Sequence, residues 1–520
     1  MKTLHAAAFA LALPALFSTG AARGAEAKPT PAPPKVAATP EATPSGPQSL
    51  KAKKEYKRGI ELVGTGSNRS AEKAIPLLWF FLKRNAPETP EYERAEFHFA
   101  KALSTLGFNH AAAEYFVNVA KGRRDARLLP SAMRELEDLV KGRPFDGELI
   151  LGQLVSDTDF GYLPPGVEDF VAFHQGLTDN REGYARWGSE HFADLKPDSS
   201  FYWQVKYLEG LRKLAAEDNE GARQIFEGLA NVDVRDDDLK RKVNLTLARL
   251  EYESAEYPKS LARYETIQLP LQKKGPIFLE RAWDLYQSGD FSKALGLLAA
   301  LEAPVFKDFD DPEKYTLRAL MFRDVCHFDA AHRAVLDFRK AYGPAIKDIY
   351  ARADLPADET FRALALKNPD VAERAGFVDA LAKEKDRLSK TPGDWKEEGL
   401  RDHLRSLYDL KLEEAKRRLD LSLDQHTEEI GDQLLEAEEQ MNVLDYEIEL
   451  ARNRRAKTKP PQTGELVTDV PWTQEIQFYG FNGEFWNDEI EDLRVVIEDK
   501  CEGMTRSGKF DTNAPVETSR

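Results

Sequence analysis

His327 and His332 stand in the stretch CHFDAAH, where two imidazoles and the Cys326 thiol could in principle hold a transition metal. Five positions do not bring two side chains back to one helical face, so the spacing is wrong for a pair of neighbouring donors. The acidic run FKDFDDPEKY lacks the central Gly and the terminal bidentate Glu of a calcium loop. It reads instead as a loop whose carboxylates cap the next helix. There is no H-E-x-x-H, G-x-S-x-G, G-x-x-x-x-G-K-[ST] or C-x-x-C. No acid/base carboxylate pair for glycoside cleavage can be singled out among 89 acidic residues. These residues predict no enzyme, no metal and no cofactor.

Binding is the chemistry that remains. Arg and aromatic residues, the side chains that dominate binding hot spots, recur at related places along the chain. Lys101, Arg249, Tyr252, Trp283, Tyr286 and Arg323 are expected to line one partner-binding groove, and Leu211 and Leu320 take equivalent positions. For Trp283 packing between structural units is the equal alternative, since large aromatics serve both roles. Cys326 and Cys501 are the only cysteines. They form either one long-range bridge or two buried thiols.

The groove follows from a repeat. Ala74, Ala112, Gly188, Ala222, Ser260, Ala294 and Ala331 each open a second helix of a helix-turn-helix unit, with successive steps of 38, 76, 34, 38, 34 and 37. A small residue also stands twelve positions before most of them, at Ala100, Gly176, Gly210, Ala248, Ala282 and Ala319. Large residues stand four positions after, at Phe116, Phe192, Phe226, Tyr264, Leu298 and Val335. Two antiparallel helices cross closely only where bulk is removed, and the large residue fills the next groove. Gly107 and Gly289 fit the turns between helices. The register is loosest between 120 and 165.

This pattern over roughly 60–345 resembles the tetratricopeptide repeat, a unit of about 34 residues. The resemblance implies an all-α solenoid that acts as a protein-interaction scaffold without catalytic residues, its groove lined by the first helix of each pair. Residues 1–24 have the order of a signal peptide: Lys2, an apolar run from Ala6 to Phe17, then small residues. A Pro/Ala-rich linker fills 25–50, ahead of a solenoid over 51–350 and capping helices over 351–395. A signal peptide before such repeats looks like the exported envelope type of Gram-negative bacteria, including scaffolds of gliding-motility and secretion machines. The implied place is the periplasm, in association with the outer membrane, with envelope proteins as partners. Lytic transglycosylases of the cell wall are exported and superhelical too. Their Gly-rich, Glu-containing active-site segment is absent, which leaves at most a helper role beside a peptidoglycan-processing enzyme.

A long charged helix should occupy 396–456. Ile430, Leu434, Met441, Leu444 and Ile448, with Ala437 and Ala451, alternate by fours and threes as a heptad seam. The seam predicts either a fold-back on this chain or self-association as a coiled-coil organiser. Segment 457–501 gathers Trp472, Phe478, Tyr479, Phe481, Phe485 and Trp486 around an Asn482-Gly483 turn, read as a hairpin and then an acidic helix from 486 to 501. It is expected to cap the last helix pair or to display a partner-binding module. Residues 502–520 read as a disordered tail. The net charge of −16 argues against nucleic acid and against an anionic lipid surface, so any membrane attachment would be through a partner.

Overall fold

The structure, a computed structural model, describes residues 50–125, 127–140, 144, 151, 167–181, 185–193, 195–199, 201–233, 236–351, 354–458 and 484–501. The expected signal peptide, the linker up to 49, most of the 120–165 irregularity, the Asn482-Gly483 turn, the aromatics from Trp472 to Phe481 and the tail 502–520 lie outside them. Among the described residues the chain is all-α, with no strand and no helix long and apolar enough to cross a membrane. Two compact units divide it: residues 1–216 with 368–422, and 217–367 with 423–520.

In the first unit, α1 (Leu50–Gly64) packs on α2 (Asn68–Leu82), α3 (Pro90–Thr105) on α4 (Asn109–Gly122), and α4 on α5 (Leu129–Val140). Then follow α6 (Val167–Arg181) packed on α7 (Ala185–Ala193), and α8 (Tyr202–Ala215). In the second unit come α9 (Asn219–Ala230), α10 (Asp237–Glu253) on α11 (Tyr257–Thr266), α12 (Gly275–Ser288) on α13 (Phe291–Ala300), and α14 (Glu313–Asp324) on α15 (Phe328–Tyr350). Each unit is therefore an array of consecutive helix pairs.

The small residues are where close crossing requires them. Ala74, Ala100, Ala112, Ala222, Ala248, Ser260, Ala282, Ala294, Ala319 and Ala331 are all fully buried. A Cβ on Gly176 would run into the ring of Phe192, and one on Gly188 would lie 2.8 Å from the Gly176 carbonyl oxygen. Gly176→Val should therefore cost about 1–3 kcal/mol by overpacking, read as a shift in the urea midpoint. An unchanged midpoint would mean that α6 and α7 do not cross at these glycines.

The inter-helix turn has a signature that the residue types had only half revealed. Gly107, Glu217, Ala255, Gly289 and Cys326 all have positive φ, between 58° and 81°. Each stands five positions before the small residue of its second helix. Two are the expected glycines; Glu217, Ala255 and Cys326 hold the same left-handed conformation with a Cβ, which costs about 1 kcal/mol each.

The expected capping helices divide between the units. α16 (Glu359–Ala365) does cap α15, with Phe361 fully buried in the same apolar cluster as Val335 and Phe338. In contrast, α17 (Pro369–Leu388) does not cap the last pair. It packs on α4, and Phe377, Leu381 and Leu388 join the core of the first unit. There the buried Tyr408 hydroxyl donates to Glu384 at 2.7 Å, and Glu384 also accepts the His110 backbone N–H at 3.1 Å. Burial keeps the His110 imidazole neutral, with its pKa lowered to about 3.

Helix α18 (Leu400–Thr458) is continuous, as its proline-free sequence predicts. Besides Arg401, its buried positions run 400, 404, 408, 412, 415, 419, 423, 427, 431, 434, 437, 441, 444 and 448, so one face is covered along almost its whole length. The seam thus begins about thirty residues before Ile430, the first position read from the heptads. After α18 the expected acidic helix from 486 to 501 is not formed. The described residues are a turn, one 3-10 turn at Ile490–Asp492, and extended backbone to Cys501.

Candidate partner-binding face

Five of the six expected groove residues fall on first helices of the second unit: Arg249 and Tyr252 on α10, Trp283 and Tyr286 on α12, and Arg323 on α14. Lys101 belongs to α3 of the first unit, where its ammonium pairs with Glu135 of α5 at 2.8 Å.

Three of the five are held by carboxylates about one repeat further on. Arg249 donates from Nε and Nη2 to the two oxygens of Glu280, at 3.1 and 2.7 Å. Trp283 Nε1 donates to Glu313 at 3.3 Å, and the Tyr286 hydroxyl to Asp324 at 2.7 Å. Arg323 donates to Asp324 at 2.9 Å and to Glu447 of α18 at 2.7 Å. Neighbouring first helices in a repeat array bring a position beside the one about a repeat later, so a donor at one place meets an acid some 30 residues on. Lys101 and Glu135, 34 apart, obey the same rule.

These contacts settle what each side chain exposes. Tyr252 and Arg323 are buried, at 6% and 7% exposure. Arg249, Trp283 and Tyr286 remain partly exposed. The Trp283 indole N–H is tied to the next first helix while its ring is partly open. Its ring meets Tyr286 edge-on at 5.8 Å. Beneath this face Asp284 is fully buried and accepts from the Ser260 hydroxyl at 2.8 Å. Burial, helped by Glu280 and Glu251, pushes its carboxyl up to about 7. Glu313 is likewise pushed up to about 7 by burial and by the neighbouring Asp311.

The other candidates have structural partners. His327 Nε2 lies 2.7 Å from the Glu498 carbonyl oxygen, and His332 Nδ1 2.8 Å from Asp445. In the acidic loop Asp311 accepts the Glu313 N–H at 2.9 Å, and Asp310 accepts the Tyr342 hydroxyl at 2.6 Å. Asp311 thus holds the first N–H of α14, although Pro312 at the N-cap itself has no capping side chain. Cys326 and Cys501 form a disulfide, with Cα atoms 5.2 Å apart.

The heptad seam is filled by the chain itself. Leu434, Met441, Leu444 and Ile448 are buried with Phe328, Val335, Phe338, Tyr342 and Ile346 of α15, and Ile430 packs beside them. Polar flanks fix the register: Asp445 takes both His332 and Arg339, at 2.8 and 2.9 Å, and Glu438 accepts from Tyr350 at 2.7 Å. These apolar positions are spent on a fold-back, which was one of the two expected outcomes.

The carboxylate ladder was not read from the sequence. Its signal was present as donors and acids separated by 30 to 38 residues, visible only after the repeats are aligned. The chain is thus an all-α protein of repeated helix pairs. No family model matches it, and no curated protein matches it.

Proposed function

We propose that this chain is a non-enzymatic protein-interaction scaffold of tetratricopeptide type, exported to the periplasm and serving an envelope or outer-membrane machine such as one for motility, secretion or assembly. The observation that carries the reading is the first-helix face of the second unit. There Arg249, Trp283 and Tyr286 are partly exposed and already held by Glu280, Glu313 and Asp324. Side chains ordered before binding lose less entropy on complex formation, and Trp, Tyr and Arg are the types that repay burial most. The exported setting rests on residues 1–24, and the disulfide is in keeping with it. The coiled-coil organiser reading has less support, since its seam residues are covered within the chain. A helper of a peptidoglycan-processing enzyme remains a reading by analogy alone.

A photoreactive residue in place of Trp283, used in intact cells, tests the proposal. The expected result is one dominant adduct with an envelope protein, lost when Tyr286→Ala and Arg249→Ala are added. A photoreactive residue at exposed Glu227, on second helix α9, is the control. Equal labelling at both places would sink the groove reading.

A further inference from the structure

Residues 484–501 lie on the second unit as a bound peptide would. Ile490 is buried to 1% exposure in the cluster formed by α12, α13 and α14. Glu491 meets Lys274 at 2.5 Å and Arg281 at 3.2 Å. Leu493, Val495 and Ile497 then pack on the cluster, while Val496 between them is 47% exposed. The alternation is that of an extended strand, but the hydrogen bonds go to helix ends and turns instead of a sheet edge. The Val495 N–H donates to the Ser292 carbonyl at 3.0 Å and the Lys500 N–H to the Val325 carbonyl at 3.1 Å. Gly296 of α13 permits the approach, since a Cβ there would run into the Leu493 carbonyl. An open hollow beside the peptide is lined by Leu295, Ala299, Arg318 and Phe322.

The covalent bond holds only the far end. Cys326 sits at the left-handed turn between α14 and α15, with φ of 58°, so breaking the bond to Cys501 interrupts no helical hydrogen bond. Without it the segment keeps buried Ile490, the partly buried Leu493, Val495 and Ile497, the ion-paired Glu491, the His327 contact to the Glu498 carbonyl and two backbone bonds. Main-chain bonds with pockets for alternate side chains are how extended peptides are recognised in general.

We propose that the α12–α14 surface is a redox-gated docking site for an extended peptide with an acidic residue followed by apolar residues at alternate positions. The chain fills it in cis with residues 489–501 and locks it through Cys326–Cys501. Thiol–disulfide exchange opens it to a partner segment of the same pattern. In that exchange a thiolate of a dithiol reductant attacks one sulfur, and the other leaves as thiolate. The reductant's second thiol then resolves the mixed disulfide. Two electrons and two protons end on Cys326 and Cys501, and the reductant leaves as a disulfide.

The test uses the full chain, oxidised or treated with dithiothreitol, with free thiols counted to confirm reduction. Hydrogen exchange should show residues 490–501 and α13 losing protection only in the reduced protein, with α10 and α11 unchanged. A fluorescent peptide of residues 488–501 carrying Cys501→Ser should bind the reduced chain, and the full-length Cys326→Ser variant, at least tenfold tighter than the oxidised chain. The same peptide with Glu491→Ala should lose most of that binding. Unchanged protection after confirmed reduction would overturn the gate. Peptide binding that is absent, equal in both redox states, or matched by a scrambled peptide would overturn the docking site. Neither failure bears on the first-helix reading, which is tested separately by the crosslink at Trp283 and its loss on Arg249→Ala.

Discussion

Ile448→Asp is expected to unfold the second unit and not to separate two chains. Ile448 is fully buried against α15, among Met441, Leu444, Phe338 and Ile346. The substitution removes most of a core side chain and places a carboxylate among apolar neighbours. The lost apolar burial alone is worth about 2–5 kcal/mol, and the unpaired polar group adds to it. Against a domain stability of about 5–15 kcal/mol, that is enough to populate the unfolded state. Val443→Asp is the matched control, because Val443 lies on the same helix and is 57% exposed. It should shift the urea midpoint by no more than about 0.5 kcal/mol equivalent. Sedimentation and urea denaturation on the two variants decide the matter. A wild-type dimer that becomes a stably folded monomer on Ile448→Asp would instead make the seam an intermolecular one.

Asp284→Asn is expected to stabilise the second unit at alkaline pH and to lose that advantage in acid. The folded carboxyl titrates at about 7, raised chiefly by burial, while an unfolded Asp titrates near 4. Below pH 4 the group is protonated in both states and carries no penalty. Between pH 4 and 7 the unfolded chain ionises while the folded one holds its proton, so stability falls as pH rises. Above pH 7 both are ionised and the cost levels off, at about 4 kcal/mol for a shift of about 3 units. Asn is neutral throughout and can still accept from Ser260 through its amide oxygen, so its profile lacks this slope. Urea midpoints of both proteins at pH 4.5 and pH 8.5 measure it. Parallel profiles would show that Asp284 is solvated in the folded state.

The largest surprises came where an element's neighbour lies far away in the chain. The acidic stretch after Trp486 has helical composition, yet it is extended from Leu493 on. Its backbone donors are used by carbonyls at Ser292 and Val325, and its end is bonded to Cys326. A helix would satisfy those donors locally but would bury neither Ile490 nor the alternate apolar side chains against α13. α17 departs for the same reason: its apolar face suits α4 better than the end of α15, and nothing in its own residues names the partner. Tyr252 and Arg323 share the groove period yet are buried, because period cannot tell a first helix's open flank from the flank that the next helix covers.

The sequence by itself determined the helix pairs, the places where they cross and the single long helix. Each depends on residues close in the chain: Ala or Gly where backbones meet and a large side chain four positions on. Excluded volume and hydrogen-bond periodicity act at that range, so local residue types suffice. Tertiary structure alone decided what covers each apolar face, namely α15 over the heptad seam, α4 under α17, and residues 490–501 across α13. Apolar burial is nearly indifferent to the identity of its partner, and only the assembled geometry, with its long-range carboxylate pairs and one disulfide, makes the choice.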